Sequence, residues 1–327
     1  MTFIVSKVSK RHSSDWVLRD IEFSMQAGTV FGVLGEDGSG KSTLMAILSG
    51  RMSPNTGTYG LAGEIEEGNG VGLKTPKTSL IGGGHGRVDG LKSFLGFNGI
   101  RSRPHSMREI IAKIEGVRDG QLLLIDDVLA RFDEDDKERF AKNLRTHTAN
   151  KQLFTIVSSR HFSDIAMLCD EATILDKTCQ IQTGSPQELY LEPKSVKAAI
   201  LTGAVNLMTA RRTSSTKSEH PIFRLIDTPQ DVLARPTSKA DLGPINQNVN
   251  LMIRPEAVSI SFGASFPEDN LIKGKIIAID FRGPFTYLRL DCEGLAITAN
   301  VPKVIGLSIG DECVIGLPPD RIHVLKS

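Results

Sequence analysis

One short segment constrains this chain more than any other. Gly35-Glu36-Asp37-Gly38-Ser39-Gly40-Lys41-Ser42-Thr43 spells G-x-x-x-x-G-K-[ST]. Thr29-Val30-Phe31-Gly32-Val33-Leu34 precedes it as a short apolar strand, and Leu44-Met45-Ala46-Ile47-Leu48 follows as the opening of a helix. Strand, glycine-rich turn and helix in that order mark a phosphate-binding loop rather than an ordinary turn. The glycines let backbone N–H groups close around phosphate oxygens, and the helix start adds partial positive charge. All nine residues from Gly35 to Thr43 are therefore expected to bind a nucleotide. Lys41 is expected to reach its terminal phosphates and Ser42 to ligate Mg²⁺.

The 327 residues leave room for two domains, each with its own core. With 40% hydrophobic and 24% charged residues, the composition reads as soluble and globular. A net charge of +1 implies no broad basic face, so nucleic acid is not an expected partner. Cys169, Cys179, Cys292 and Cys313 form no C-x-x-C pair and read as free or buried thiols of a reducing cytosol. The start of the chain, Met1 to Lys7, lacks the apolar stretch of a signal peptide. No run approaches the ~18 apolar residues of a membrane span. Any membrane role is expected to pass through a partner.

Leu122-Leu123-Leu124-Ile125 is an apolar run ending in Asp126-Asp127. Phe154-Thr155-Ile156-Val157 is another, ending in Ser158-Ser159-Arg160-His161, and Ala172-Thr173-Ile174-Leu175 follows a helical stretch. Strands alternating with helices predict an α/β domain around a mostly parallel sheet. Ligands of such sheets sit at the carboxyl ends of strands, so the loop, the two aspartates and the Ser158–His161 segment can converge on one site. Between about Ala210 and Asn250, Ser, Thr, Lys, Pro and Asn become common and helical periodicity fades. From Leu251 onward short β segments alternate with turn residues, which predicts a small all-β barrel or sandwich.

Lys10-Arg11-His12 and Val17-Leu18-Arg19-Asp20-Ile21, leading into the loop, resemble the opening of an ABC transporter ATP-binding subunit. Leu122 to Asp133 resembles that family's Walker B strand and D-loop, and Gln182 to Tyr190 resembles the segment that closes its nucleotide-binding domain. Ile253-Arg254-Pro255-Glu256, Gly310-Asp311-Glu312 and Gly316 to Val324 resemble the OB-like regulatory domain of maltose-, polyamine- and iron-type importers. The resemblance implies an α/β P-loop nucleotide-binding domain over 1–203 with a mostly parallel sheet, then a linker and an OB-like β domain over 204–327. It implies Mg-ATP at an interface between two ATP-binding subunits, either a homodimer or a heterodimer. It also implies membrane permease partners and a peripheral place on the cytoplasmic face of the membrane. Asp126 corresponds to the Mg²⁺-holding aspartate, Asp133 to the partner-facing D-loop aspartate, and His12 to the aromatic that stacks on adenine, with Trp16 as a nearby alternative.

The departures from the family point in one direction. Asp127 stands where the family has its catalytic glutamate, one methylene shorter, and Val128 stands where it has proline. A water-activating carboxylate must lie within hydrogen-bond reach, and displacements of about 1 Å matter. The γ-phosphate-sensing glutamine has no counterpart; Leu80 to Gly86 occupies its stretch, with His85 the available donor. Ser102-Arg103-Pro104-His105-Ser106 replaces L-S-G-G-Q. Alignment through Ala166–Asp170 puts Arg160 at the switch-histidine position and His161 one residue later. The stretch between Lys41 and Asp126 is shorter than the family pattern, and Gly82, Gly83, Gly84, Gly86, Gly90, Gly96 and Gly99 crowd it, which disfavours helix in the helical subdomain. The expected function is an importer ATP-binding subunit that binds Mg-ATP and hydrolyses it weakly, with Asp127, Arg160 and His161 as the candidate catalytic residues. The alternative is a non-catalytic regulatory or scaffold protein of a transporter complex. A soluble P-loop kinase fits neither the D-loop-like segment nor the tail.

Overall fold

The computed structural model describes residues 1–62, 76–82, 107–129, 132–213, 220–236, 242, 245–262, 270–302 and 306–325. The chain packs as two compact units, Met1–Leu191 and Glu192–Ser327.

The first unit runs β1 (Thr2–His12), β2 (Asp15–Gln26), β3 (Val30–Leu34), α1 (Lys41–Leu48), β4 (Thr56–Leu61), β5 (Thr78–Gly82), α2 (Met107–Glu115) and β6 (Leu122–Asp126). It continues with α3 (Glu134–Asn150), β7 (Phe154–Ser159), α4 (Phe162–Leu168), β8 (Glu171–Asp176), β9 (Cys179–Gly184) and α5 (Pro186–Leu191). Its described strands form one sheet in the order β4-β1-β2-β9-β8-β3-β7-β6-β5. Neighbours from β8 through β3, β7 and β6 to β5 are parallel, whereas β1, β2 and β4 pair antiparallel at the other end.

The residue patterns follow from that placement. Every residue of β3, β6 and β7 is buried, because both faces of a central parallel strand are covered. In β2, Leu18, Ile21, Phe23 and Met25 are buried while Glu22 and Ser24 face out. Helix α3 lays Phe140, Ala141, Leu144 and Thr148 inward. Full burial of Phe140 and Leu144 stabilises the unit by about 1.5–3 kcal/mol each. Asp133 caps the start of α3, its carboxylate accepting from Asp136 N–H at 2.8 Å, and acids fill the first turn where the helix dipole favours them. The register brings Leu34 opposite Ser159 and Asp126 opposite Ser158, so three strands end at one edge.

The second unit begins with α6 (Val196–Thr202). It continues through β10 (Asn206–Arg212), β11 (Ile222–Leu225), β12 (Asp231–Leu233), β13 (Asn248–Ile253), β14 (Ser259–Ser261), β15 (Asn270–Phe281), β16 (Thr286–Cys292), β17 (Leu295–Val301), β18 (Glu312–Leu317) and β19 (His323–Leu325). Two antiparallel sheets form, β12-β11-β10-β13-β19 and β14-β18-β15-β16-β17. Phe223 and Leu251 of the first share a buried core with Ile272, Leu290, Ile297 and Ile315 of the second. This is the all-β organisation the tail implied.

The stretch between Ala210 and Asn250, where the sequence showed only fading helical periodicity, holds the end of β10, all of β11 and β12, and the start of β13. Those strands are short, and alternate residues of β10 (Leu207, Thr209, Arg211) face solvent, so the apolar signal is carried by Met208 and Ala210 alone. Buried Arg254 closes the end of α6. It donates to the carbonyl oxygens of Ala199 at 3.0 Å, Gly203 at 3.2 Å and Ala204 at 3.0 Å, and to Thr202 Oγ1 at 2.8 Å.

Candidate functional site

The glycine loop joins β3 to α1 at the edge where β6 and β7 also end. Gly40 has φ 98°, a left-handed conformation. A Cβ there would lie 2.5 Å from Leu18 Cδ2 and 2.7 Å from the Val17 carbonyl oxygen, so only glycine lets the loop sit this close to β2. Buried Lys41 folds back into the loop and donates to the carbonyl oxygens of Gly35 at 2.7 Å and Glu36 at 2.8 Å. Burial pushes its pKa below the ordinary lysine value. Asp127, Asp37 and Asp126 pull it back up, while Arg160 works with burial.

Inside the same loop the Ser39 hydroxyl is buried without a hydrogen-bond partner among the described residues. The space a side chain at Gly38 would occupy is open, whereas Ser42 is exposed and Thr43 half-buried at the start of α1. A buried ammonium held by backbone carbonyls, in a loop whose Gly38 borders open space, suits an anionic oxygen ligand such as a phosphate.

Opposite the loop, Asp126 is buried at the end of β6 and accepts from Ser158 Oγ at 2.5 Å. The buried Asp126 carboxylate and the exposed Ser42 hydroxyl are oxygen donors of the kind Mg²⁺ takes. Asp127 is the first residue past the strand and has φ 48°, a region a non-glycine residue seldom adopts and aspartate tolerates better than most. Its N–H donates to both the carbonyl and the hydroxyl oxygen of Ser158, each at 3.2 Å. Its carboxylate lies 3.5 Å from Arg160 Nε. Arg160 also donates from Nη1 to Asp37 Oδ2 at 3.1 Å, so one guanidinium bridges the phosphate loop and the end of β6. These groups are solvent-accessible, and such ion pairs contribute about 0–1 kcal/mol each. They can be exchanged for a ligand at little cost.

The alternatives left open at the switch position differ in what they touch. Arg160 contacts both acids, whereas exposed His161 precedes α4 and its ring has no hydrogen bond or ion pair among the described residues. Its backbone is engaged instead: the N–H donates to Ser159 Oγ at 3.0 Å and the carbonyl oxygen accepts from Ile165 N–H at 3.5 Å. His12 is exposed at the end of β1, in register with Asp15. Trp16 is half-buried, with the Arg11 guanidinium 4.1 Å and the Arg19 guanidinium 5.4 Å from its ring centre. His85 and Ser102–Ser106 lie outside the described residues, as do all the crowded glycines except Gly82. Sequence reading missed the Asp37–Arg160 bridge and the role of Ser158 in holding both aspartates. A serine directly after the apolar run of β7 was the available signal.

Two family models match the chain: ABC transporter over residues 18–75 and TOBE domain over 251–325. The Fe(3+) ions import ATP-binding protein FbpC of Haemophilus influenzae is 23% identical over 96% of this chain and 95% of its own length. The molybdate/tungstate import ATP-binding protein WtpC of Pyrococcus horikoshii is 22% identical over 98% of this chain and 99% of its own. The glucose import ATP-binding protein GlcV of Saccharolobus solfataricus is 24% identical over 99% and 98% respectively. The chain thus carries an ABC transporter match over its phosphate loop and a TOBE match over 251–325, and it is similar along nearly its whole length to import ATP-binding proteins.

Proposed function

We propose that this chain binds Mg-ATP in the Gly35–Thr43 loop and couples it to solute import through membrane permease subunits, hydrolysing it weakly. The observation that carries the reading is the loop itself: buried Lys41, held by backbone carbonyls, within electrostatic reach of Asp37, Asp126, Asp127 and Arg160. Lys41 exchanges the carbonyls of Gly35 and Glu36 for terminal phosphate oxygens. Ser42 and Asp126 hold Mg²⁺, which when bound neutralises phosphate charge and orients the phosphates for attack. His12, or Trp16 beside it, supplies the surface for the base.

Weak hydrolysis follows from the groups around the terminal phosphate. Asp127 is the only candidate for the water-activating carboxylate in the Walker B segment. It is one methylene shorter than the family glutamate, and Arg160 already engages it. Arg160 is better suited to binding the terminal phosphate, as a planar cation that can exchange carboxylates for phosphate oxygens. His161 needs a shift of the loop to serve. Every 1.36 kcal/mol of lost transition-state stabilisation is about tenfold in rate, so a misplaced base alone reduces turnover strongly.

The subunit works as a dimer with a second ATP-binding subunit, and the TOBE unit carries regulation. No helix among the described residues is long and apolar enough to cross a membrane. We assign the chain to the cytoplasmic face, attached through the permease. The names of the three relatives above, each an import ATP-binding protein, favour this energising role over a scaffold. Steady-state ATPase of the purified chain, alone and with its co-purifying permease, is the test. Slow turnover at saturating ATP is expected; turnover as fast as an intact family member, abolished by Lys41→Ala, refutes weak hydrolysis.

A further inference from the structure

Behind the phosphate-facing loop lies a buried polar chain to which the nucleotide reading gives no role. Asp164 of α4 is 1% exposed. Its Oδ2 accepts from Ser159 Oγ at 2.7 Å, and its Oδ1 lies 3.1 Å from Lys137 Nζ of α3. The same lysine donates to Glu134 at 3.2 Å. Burial opposes its charge, but the bonds to Asp164 and Glu134 outweigh that and hold its pKa above the ordinary value.

Ser159 is the junction. Its hydroxyl donates to Asp164 and accepts the His161 N–H, and its carbonyl accepts from Gly35 N–H at 3.3 Å. The side chains of Ser159, Asp164 and Lys137 thus join α3, α4 and the segment carrying Arg160, and the Ser159 carbonyl adds the first residue of the phosphate loop. A buried ion pair is a poor way to gain stability, because desolvation offsets most of the attraction. What it supplies here is one fixed arrangement of the Ser158–His161 segment.

We propose that Asp164 is a positioning residue: through Ser159 it fixes the segment that presents Arg160 to the terminal phosphate, and through Lys137 it ties that segment to the start of α3. The inference rests on the nucleotide reading of the Gly35–Thr43 loop. It assigns the preference for triphosphate over diphosphate to Arg160 held by this chain. The start of α3 is capped by Asp133, the residue the family resemblance turns toward a partner subunit, so the same chain connects that side to the phosphate-sensing segment.

The experiment is equilibrium titration of the full chain with Mg-ATP and Mg-ADP, comparing wild type, Lys41→Ala, Arg160→Ala, Ser159→Ala, Asp164→Asn and the Arg160→Ala/Ser159→Ala double variant. Wild type is expected to prefer ATP. Ser159→Ala and Asp164→Asn are expected to reduce that preference by about tenfold, the size of one charge-assisted hydrogen bond, with ADP affinity kept within about twofold. The double variant is expected to lose no more than Arg160→Ala alone, since both act on one contact. Ser159→Ala keeps the Lys137–Asp164 pair and decides the matter if Asp164→Asn fails to fold. Lys41-dependent binding with an unchanged ATP-to-ADP ratio in Ser159→Ala overturns the positioning role alone. So does an equal loss for both nucleotides, or a wild type without preference. No nucleotide binding by wild type, or binding indifferent to Lys41→Ala, overturns the nucleotide reading itself.

Discussion

Arg160→Ala separates two uses of one guanidinium. Without ligand, Arg160 contacts Asp37 at 3.1 Å and Asp127 at 3.5 Å. The arginine side chain is 38% exposed and its partners 79% and 28% exposed, so water screens both pairs. They contribute about 0–1 kcal/mol each, and folding stability should change by less than about 2 kcal/mol when they go. Against a terminal phosphate the same group forms charge-assisted hydrogen bonds of about 1.5–3 kcal/mol, from which the exchanged ion pairs subtract. The net is about 1–2 kcal/mol, or roughly five- to thirty-fold in ATP affinity. ADP lacks that phosphate and should bind within about twofold of wild type. Isothermal titration with each nucleotide, beside a urea melt, reads all three quantities. If ATP and ADP weaken equally, or if the melt shifts by several kcal/mol while the ATP-to-ADP ratio holds, Arg160 is a structural cross-link and its placement at the phosphate is wrong.

Arg254→Leu removes four hydrogen bonds between a buried guanidinium and the end of α6, so the second unit should lose about 3–5 kcal/mol in denaturant unfolding. A loss under about 1 kcal/mol contradicts that account. Burial, with Arg235, Arg254 and Arg321 on one side against Glu192 on the other, depresses His323 from 6.5 to about 4. The unfolded chain therefore takes up a proton that the folded chain refuses between those values. Stability present above pH 6.5 should fall by about 3 kcal/mol as pH drops toward 4, and His323→Gln should flatten this slope. A melt of the second unit with the same slope in wild type and variant rules this out. Because burial lowers the Lys41 pKa, Mg-ATP affinity should begin to fall with rising pH before the ordinary lysine value of 10.5, as the loop loses its cation. A flat affinity up to 10.5 contradicts this.

Much of the first unit was legible because its central strands are continuous apolar runs with polar ends. Leu122–Ile125, Phe154–Val157 and Ala172–Leu175 all lie inside the strands β6, β7 and β8. The phosphate loop was legible because its glycines are required by close backbone approach, as at Gly40. The setting of Arg160 and His161 was not, because the neighbouring Ser159 bonds to a carboxylate on the following helix, which in turn pairs with a lysine on the preceding one. Sequence spacing offers no trace of that three-way contact. The domain boundary was expected at 203/204, whereas the packing groups α6 with the second unit. The reason is again long-range: Arg254, 55 residues after Ala199, holds the end of the helix. Strands β10 to β12 escaped notice because half of each faces water and their buried residues are few.

The central claim is that the Gly35–Thr43 loop binds a nucleoside triphosphate through Lys41. Equilibrium binding of Mg-ATP to the wild-type chain and to Lys41→Ala tests it most directly. Saturable wild-type binding, weakened about a hundredfold by loss of two charge-assisted hydrogen bonds, is the expected result. Equal affinity in the two proteins, or no binding by wild type at millimolar Mg-ATP, would contradict it.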